Sequence, residues 1–411
     1  MNSLRAMTRP DTMRTTGLIP LLLGCTAVAG AQLGPRPRPI GAVLAISADS
    51  FAAVGGVRVL SDGRLLVNEI VQHRLHLLDA TMSHSVVLAD SFAGTARAYP
   101  RRGAVLVSYI GDSTLFIDAS TVSMVVIDPE GKFGRVVAVP RSRDIGPLVS
   151  ADAGAPGFDA AGRLVYRVIP PPLSRPVRVQ GAYTLRPLSD SAPILRADVV
   201  TRRIDTAGFS KYTPIRTILH ERAAVNGYTV AQEINPLRVS DEWTVMSDGA
   251  IAIVRSLDYH IDWIDSAGRL SATAKLPFPW QRLTDEAKIA LIDSAKAMRA
   301  RALGSSSRDA SSGAPVDADA SAVSPLELPD YWPPFRQGAV RADADGNLWI
   351  LTTARYEGAS GLVYDVVSRQ GALIDRVEVP SGRSIIGFGK DGIVYVRVRA
   401  GSDRLERRRF R

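Results

Sequence analysis

The 411-residue chain contains a single cysteine, Cys25. Disulfide frameworks and cysteine-ligated metal sites need several, so both classes are excluded. No Gly-x-Ser-x-Gly elbow, His-Glu-x-x-His pair or phosphate-binding glycine loop occurs, so the usual motifs of hydrolases, zinc proteases and nucleotide enzymes are missing. Aromatic residues are 6% of the chain and never interleave with a basic stripe, so there is no nucleic-acid footprint. The net charge of +9 is dispersed except in the tail Arg404-Leu405-Glu406-Arg407-Arg408-Arg409. No apolar run reaches the roughly 20 residues of a membrane-spanning helix. Glycine (34) and proline (26) are plentiful, as a turn-rich all-β chain requires.

Arg5, Arg9 and Arg14 flank or precede the apolar run Gly17 to Ala29, and Ala29-Gly30-Ala31 stands before Gln32. A basic stretch, a short apolar run and small residues at the cleavage point are the layout of a secretory signal. The sequence predicts a signal peptide over 1–31, cleaved after Ala31, and a secreted or periplasmic protein. Met13 is an alternative start. Leu22-Leu23-Gly24-Cys25 also reads as a lipobox, which would make Cys25 the acylated anchor of a lipoprotein. After cleavage at Ala31 the charge falls to +7, because Arg5, Arg9, Arg14 and Asp11 are lost. The remaining chain has no thiol and needs a core that stands without disulfides.

Six times a short apolar run is broken by a glycine turn and resumed. The turns are Ser61-Asp62-Gly63, Arg101-Arg102-Gly103, Ala160-Ala161-Gly162, Ser247-Asp248-Gly249, Ala344-Asp345-Gly346 and Lys390-Asp391-Gly392. Asp-Gly supplies the positive φ of a tight hairpin, so each unit reads as strand, turn, strand. A second signal follows in most units: an apolar pair, Asp and a short turn, as in Leu77-Leu78-Asp79, Val126 to Gly131, Ile204 to Gly208 and Trp263 to Gly268. A fourth strand comes next, for example Val86-Val87-Leu88 or Ile215 to Leu219. Four strands with two tight turns make a propeller blade.

The expected fold is therefore all-β, a six-bladed β-propeller with four-stranded blades over 41–411. The sixth unit lacks one strand. Gly41 to Ile46, after the Pro-rich spacer 32–40, is a spare strand, and it is expected to pair with the last blade and close the ring.

Gly56 to Glu69, continuing through His73 to Asp79, resembles the NHL repeat, and Asp343 to Ile350 is similar to its first half. The whole chain looks like a secreted bacterial propeller of the NHL-like group. That resemblance implies the fold; its members span scaffolds, sensors, lyases and lactonases, so activity does not follow from it.

Loop growth is uneven. The turns joining strands one to two and three to four of a blade share one face. Growth is expected on the other, at Tyr109–Thr121, Arg141–Pro156, Ile169–Leu195 and His220–Leu237. The largest insertion, 281–335 between blades 4 and 5, predicts a helix over about 284–303, capped by Thr284 and carrying Ile289, Ile292 and Ala295/Lys296 with Met298/Arg299 at helical spacing. A polar linker over about 304–324 is expected to be disordered. Tyr331, Trp332 and Phe335 follow, as a partial lid or as glue to the rim.

Function is expected on this elaborated face. Glu69, Arg167, Arg255, Arg355 and Arg397 fall near the ends of second strands, where converging guanidinium groups would suit a carboxylate or phosphate. Asp258, His260 and Asp262 alternate as in a strand, and His73 and His76 point to opposite faces of another. Asp343-x-Asp345-x-Asn347 reads as turn chemistry. No cofactor or metal is predicted. The chain is read as a non-enzymatic propeller binding a protein, peptide or small anionic ligand, with Tyr331 and Trp332 in the site. The alternative is a metal-dependent hydrolase or lyase, lactonase-like, with Ca²⁺ in the funnel. Asn68, Glu69, Asn226, Glu233 and Asn235 are ligands of the right type, and His220-Glu221 is the nearest thing to a lyase pair.

Overall fold

A computed structural model describes residues 34–90, 99, 104–170, 176–180, 182–222, 227–306 and 321–410. Residues 1–31, where a signal peptide and the Cys25 lipobox are expected, the turn Arg101-Arg102-Gly103, Asn226 and most of the 304–324 linker lie outside the described residues. What is described forms the six-bladed propeller, and each blade is an antiparallel sheet of four strands.

Blade 1 runs Val54–Val59, Leu65–Glu69, Arg74–Leu78 and Ser85–Ala89. Its second strand is buried at every residue, as a central strand covered on both faces must be. The first strands of neighbouring blades stand side by side, as in blades 4 and 5 or blades 6 and 1. Aliphatic clusters fill the wedges between blades, such as Leu66, Leu75, Phe116 and Ile127 between blades 1 and 2.

Ring closure follows the expectation. Val43–Ile46 forms the outer strand of blade 6, antiparallel to Ser402–Arg409. Just upstream, Arg38–Pro39 pairs in parallel with Leu373–Val379, giving blade 5 a fifth strand. Arg38 binds Asp375 at 2.6 Å, and Ile40 is buried between blades 5 and 6. The N-terminal segment thus straps two blades together.

Three strand expectations need correction. In blade 2, Ala104–Ser108 is the first strand and Thr114–Asp118 the second, so Tyr109–Thr121 is not an extended loop. The first turn of that blade is Tyr109–Ser113, closed by Gly111 and Asp112 with positive φ. In blade 3, Ile204–Lys211 is itself the fourth strand. Its turn is Asp198–Arg203, where the Asp198 carboxylate accepts the Val200 and Thr201 amides, so Ile204 to Gly208 holds no turn. Ile215 to Leu219 is not a fourth strand either: Thr217–Arg222 pairs with Gly227–Gln232 in a separate hairpin. Apolar runs of similar length look alike whether they complete a blade or form a hairpin above it.

The rule about faces holds nonetheless. First turns are short in every blade and third turns are short in blades 1 to 5, blade 6 taking its fourth strand from the N-terminal segment, while 139–156, 168–190, 212–241 and 273–334 all leave from the opposite face. The insertion helix is Asp285–Ser306, with the Ala287 amide bound to Thr284 Oγ1. Its buried side is Lys288 and Ile292 with Ala287 and Leu291, while Ile289 and Met298 are exposed. Of the expected stripe, Ile292, Ala295 and Arg299 fall on the covered side and Ile289, Lys296 and Met298 do not.

Candidate functional site

The charged candidates at the ends of second strands are largely engaged within the protein. Glu69, 2% exposed, accepts the Ala52 amide at 2.6 Å and His76 Nε2 at 3.0 Å. Arg167 is fully buried and donates to the carbonyls of Asp152, Ala153 and Asp241. Arg255 is clamped between Asp241 at 2.8 Å and Asp262 at 2.6 Å. Arg397 donates to the Val54 carbonyl of blade 1, and Arg355 is exposed. Among the described residues no hydrogen bond or ion pair joins any two of these five. Each of the first three ties neighbouring segments together, which is what a wedge-shaped assembly needs at its narrow end.

Asp258, His260 and Asp262 do meet, though not by strand alternation. Leu257 to His260 is a turn, and Tyr259 has a φ of +52°. His260 lies 2.6 Å from Asp258 and 3.2 Å from Asp262. His73 also sits in a turn, with its ring 5.4 Å from Tyr99. Among the described residues no three His, Cys, Asp or Glu side chains converge as a metal-ligand set. His220 lies in the Thr217–Arg222 strand of the separate hairpin, and Glu233 binds Arg216.

Sequence reasoning missed Glu242. It opens the first strand of blade 4, Glu242–Val245. Its carboxylate accepts the Gly338 amide of blade 5 at 3.0 Å and faces Arg167 of blade 3 at 3.4 Å. Burial pushes its pKa up to about 7; Arg167 and the Gly338 amide oppose the rise, and Asp152 adds to it. Nothing in Ser240-Asp241-Glu242-Trp243 signals that three blades would close over it.

Two cavities open on the elaborated face. One, of about 660 Å³, lies at the blade 2–3 connection among Arg141, Arg143, Asp144, Pro147, Val168 and Ile169. The other, of about 530 Å³, separates the base of the insertion from blade 4 and is lined by Val239, Ser256, Leu257, Trp280, Tyr331 and Pro333, among others.

The second cleft is built from the core outward. Tyr259 is buried and donates to Asp365 at 2.7 Å. Phe278 packs edge-on against it at 5.5 Å, Trp280 against Phe278 at 5.0 Å, and Tyr331 stands at 86° to Trp280 with centroids 6.4 Å apart. This ladder of rings ends in solvent: Trp280 is 40% exposed, Tyr331 50% and Leu257 67%. The backbone fixes both sides. The Leu283 amide bonds the Asp330 carbonyl and the Trp332 amide bonds the Gln281 carbonyl, so outgoing and returning chains staple the insertion at its root. Of the expected aromatic trio, Tyr331 lines the cleft, Trp332 packs under the helix and Phe335 enters the blade 4–5 core. Trp280 was legible only as the end of the run Pro277-Phe278-Pro279-Trp280.

The fold defines a six-bladed β-propeller. No protein-family signature matches the chain, and no curated protein does. Solved structures with a similar course include virginiamycin B lyase from Staphylococcus aureus, with 12% identity, 88% of this chain and 82% of the other covered, and a TM-score of 0.35. Regucalcin, a calcium-binding protein from Agrobacterium tumefaciens, has 12% identity, coverage of 92% and 100%, and a TM-score of 0.40. A gluconolactonase from Xanthomonas campestris has 10% identity, coverage of 90% and 99%, and a TM-score of 0.36. Likeness at this level concerns the fold and carries nothing about the site.

Proposed function

We propose that this is a non-enzymatic binding propeller, secreted or periplasmic, that takes an extended peptide segment of a partner into the cleft between the insertion and blade 4. The observation that carries the reading is the aromatic ladder from Tyr259 to Tyr331, which ends in exposed rings rather than in core. Large apolar side chains left open together on a rigid rim favour contact with another surface. Two rings at right angles, beside Pro329 and Pro333, make a trough suited to the apolar side chains of an extended chain. A volume of about 530 Å³ falls in the range that encloses a small ligand or a few side chains.

The test is a peptide-display library screened against the purified protein, with selected peptides titrated by tryptophan fluorescence. Trp280→Ala and Tyr331→Ala are each expected to weaken binding by about tenfold or more, as removal of an aromatic anchor does. Selected peptides that bind both variants as tightly as the parent would overturn the reading. So would turnover of lactones or esters that a chelator abolishes. The mass of the exported protein tests the compartment and the anchor: a chain beginning at Gln32 fits cleavage without lipidation.

A further inference from the structure

The larger cavity, of about 660 Å³, shares no lining residue with the aromatic cleft. One of its walls is the blade 2–3 connection. There a single 3-10 turn, Ser142–Asp144, leads into the short helix Ile145–Val149, and the Asp144 amide bonds the Arg141 carbonyl. Leu148 of this helix is buried in the cluster that also holds Leu115 of blade 2 and Tyr166 of blade 3, so both blades fix the wall. The other wall is Val168 to Pro170, which follows directly on the second strand of blade 3, Leu164–Arg167. The Val168 amide bonds the Pro193 carbonyl at 2.9 Å, which ties that wall to the same sheet. Gly146, Pro147, Val168, Ile169 and Pro170 make most of the lining apolar.

The charged groups in the lining are Arg141, Arg143 and Asp144. Asp144 is 1% exposed, and one oxygen of its carboxylate accepts both Arg141 Nε and the Tyr166 hydroxyl, each at 2.6 Å. A guanidinium has five N–H donors in a planar fork. Arg141 spends the Nε donor on Asp144, and its two terminal nitrogens make no hydrogen bond to a described residue. Arg143 is largely exposed and comes only within 4.0 Å of Asp144, beyond hydrogen-bond reach. Asp152, the next acid along the connection, lies outside the lining and 3.9 Å from Arg238. Two cations thus meet one carboxylate, and a single positive charge is left over beside an apolar cavity. Charge next to a low-dielectric wall attracts an anion more strongly than the same charge in open water. A dianion would exceed that surplus and leave the apolar walls unfilled; a monoanion with a hydrocarbon body answers both.

We infer that this cavity binds an aliphatic monocarboxylate, a medium-chain fatty acid in chemical class, with the carboxylate held by Arg141 and Arg143 and the chain laid against Pro147, Val168 and Ile169. The volume falls in the range that encloses a small ligand, and an apolar lining with a few placed polar groups is the usual make-up of such a site. Pairing of guanidinium with carboxylate supplies the orientation, and burial of the chain supplies most of the affinity. The site stands or falls separately from peptide binding in the cleft.

The experiment titrates the purified protein with octanoate below its micelle concentration, and separately with 1-octanol and with butanoate, at constant ionic strength. Calorimetry and thermal melts are read together. Octanoate is expected to bind saturably, with a matching rise in melting temperature. Octanol keeps the chain and lacks the charge; butanoate keeps the charge and half the chain. Each is expected to bind about tenfold more weakly or worse. Arg143→Gln changes a largely exposed side chain, so it reads binding without disturbing the core. It should weaken octanoate about fivefold or more and leave octanol as it was. Ile169→Ala should weaken both, and Arg301→Gln on the insertion helix neither. No saturable octanoate binding, equal affinity for octanoate and octanol, or unchanged octanoate affinity in Arg143→Gln would each overturn the proposal.

Discussion

Replacing Glu242 with glutamine removes a titrating group from the point where blades 3, 4 and 5 meet. The glutamine oxygen can still accept the Gly338 amide, so the hydrogen bond survives and the charge does not. In the folded protein burial raises the Glu242 pKa from 4.5 to about 7. Between these values the unfolded chain has released its proton and the folded chain has not. Stability therefore falls as pH rises through this window and levels off above about pH 7. At about 1.4 kcal/mol per pKa unit the loss is ~3 kcal/mol. Solvent screening offers little relief, because Glu242 and Arg167 are both essentially inaccessible. Urea denaturation of the parent and Glu242→Gln, followed by tryptophan fluorescence from pH 4.5 to 8, isolates the group. Other carboxylates contribute equally to both curves, including Asp365, which burial also pushes up. The two proteins should be of similar stability at pH 4.5, and the variant should be more stable by ~3 kcal/mol at pH 8. A difference curve that is flat, or in which the parent gains with rising pH, would mean that the Arg167 ion pair outweighs desolvation. The reasoning would then be wrong.

Two stability predictions concern how the blades are joined. Gly249 has a φ of +79°, and a Cβ there would lie 2.1 Å from the Ala160 backbone nitrogen of blade 3; Gly162 has a φ of +73° with open space around it. Gly162→Ala should cost roughly 1–2 kcal/mol of left-handed backbone strain, and Gly249→Ala clearly more. Equal melting temperatures for the two variants would show that the inter-blade contact is slack. Ile40 is 4% exposed in the blade 5–6 cluster, and its amide bonds the Glu378 carbonyl. Ile40→Ala should cost about 2–4 kcal/mol in chemical denaturation. A change within experimental error would mean that the N-terminal strap does not hold the ring.

Fold and site were legible to different degrees. Five of the six glycine turns fall between first and second strands, because a glycine at positive φ fixes the local backbone whatever packs against it. Blade 2 broke the pattern: its first turn uses Gly111 and Asp112 rather than Arg101-Arg102-Gly103. The strand shifts by one place there, and the error carried into the loop assigned to Tyr109–Thr121. Blade 3 was misread for a related reason. A hairpin of the same length and apolarity follows its fourth strand, and composition does not say which run joins the sheet.

The candidate arginines show what a sequence cannot supply. Arg167 ends the second strand of blade 3 and Arg255 follows that of blade 4, as placed from the repeat alone, whereas Arg397 lies in the middle of the second strand of blade 6. Whether a guanidinium meets a carbonyl or a carboxylate depends on residues 7 to 343 positions away along the chain. Arg167 meets the Asp241 carbonyl, and Arg397 meets the Val54 carbonyl. Arg341, in a strand of unremarkable sequence, stands opposite Trp349 on the side of blade 5 that packs against blade 6.

The sequence by itself determined the number of blades, the strand that closes them and the face that bears the loops. Each depends on local turn chemistry and on spacing along the chain. Only the tertiary structure decided which charges are answered within the propeller and which are left open, where three blades close over Glu242, and where a ladder of aromatic rings runs out of core. Those depend on blades that meet through space, where burial sets the energy of a charge and the neighbouring blade sets its partner.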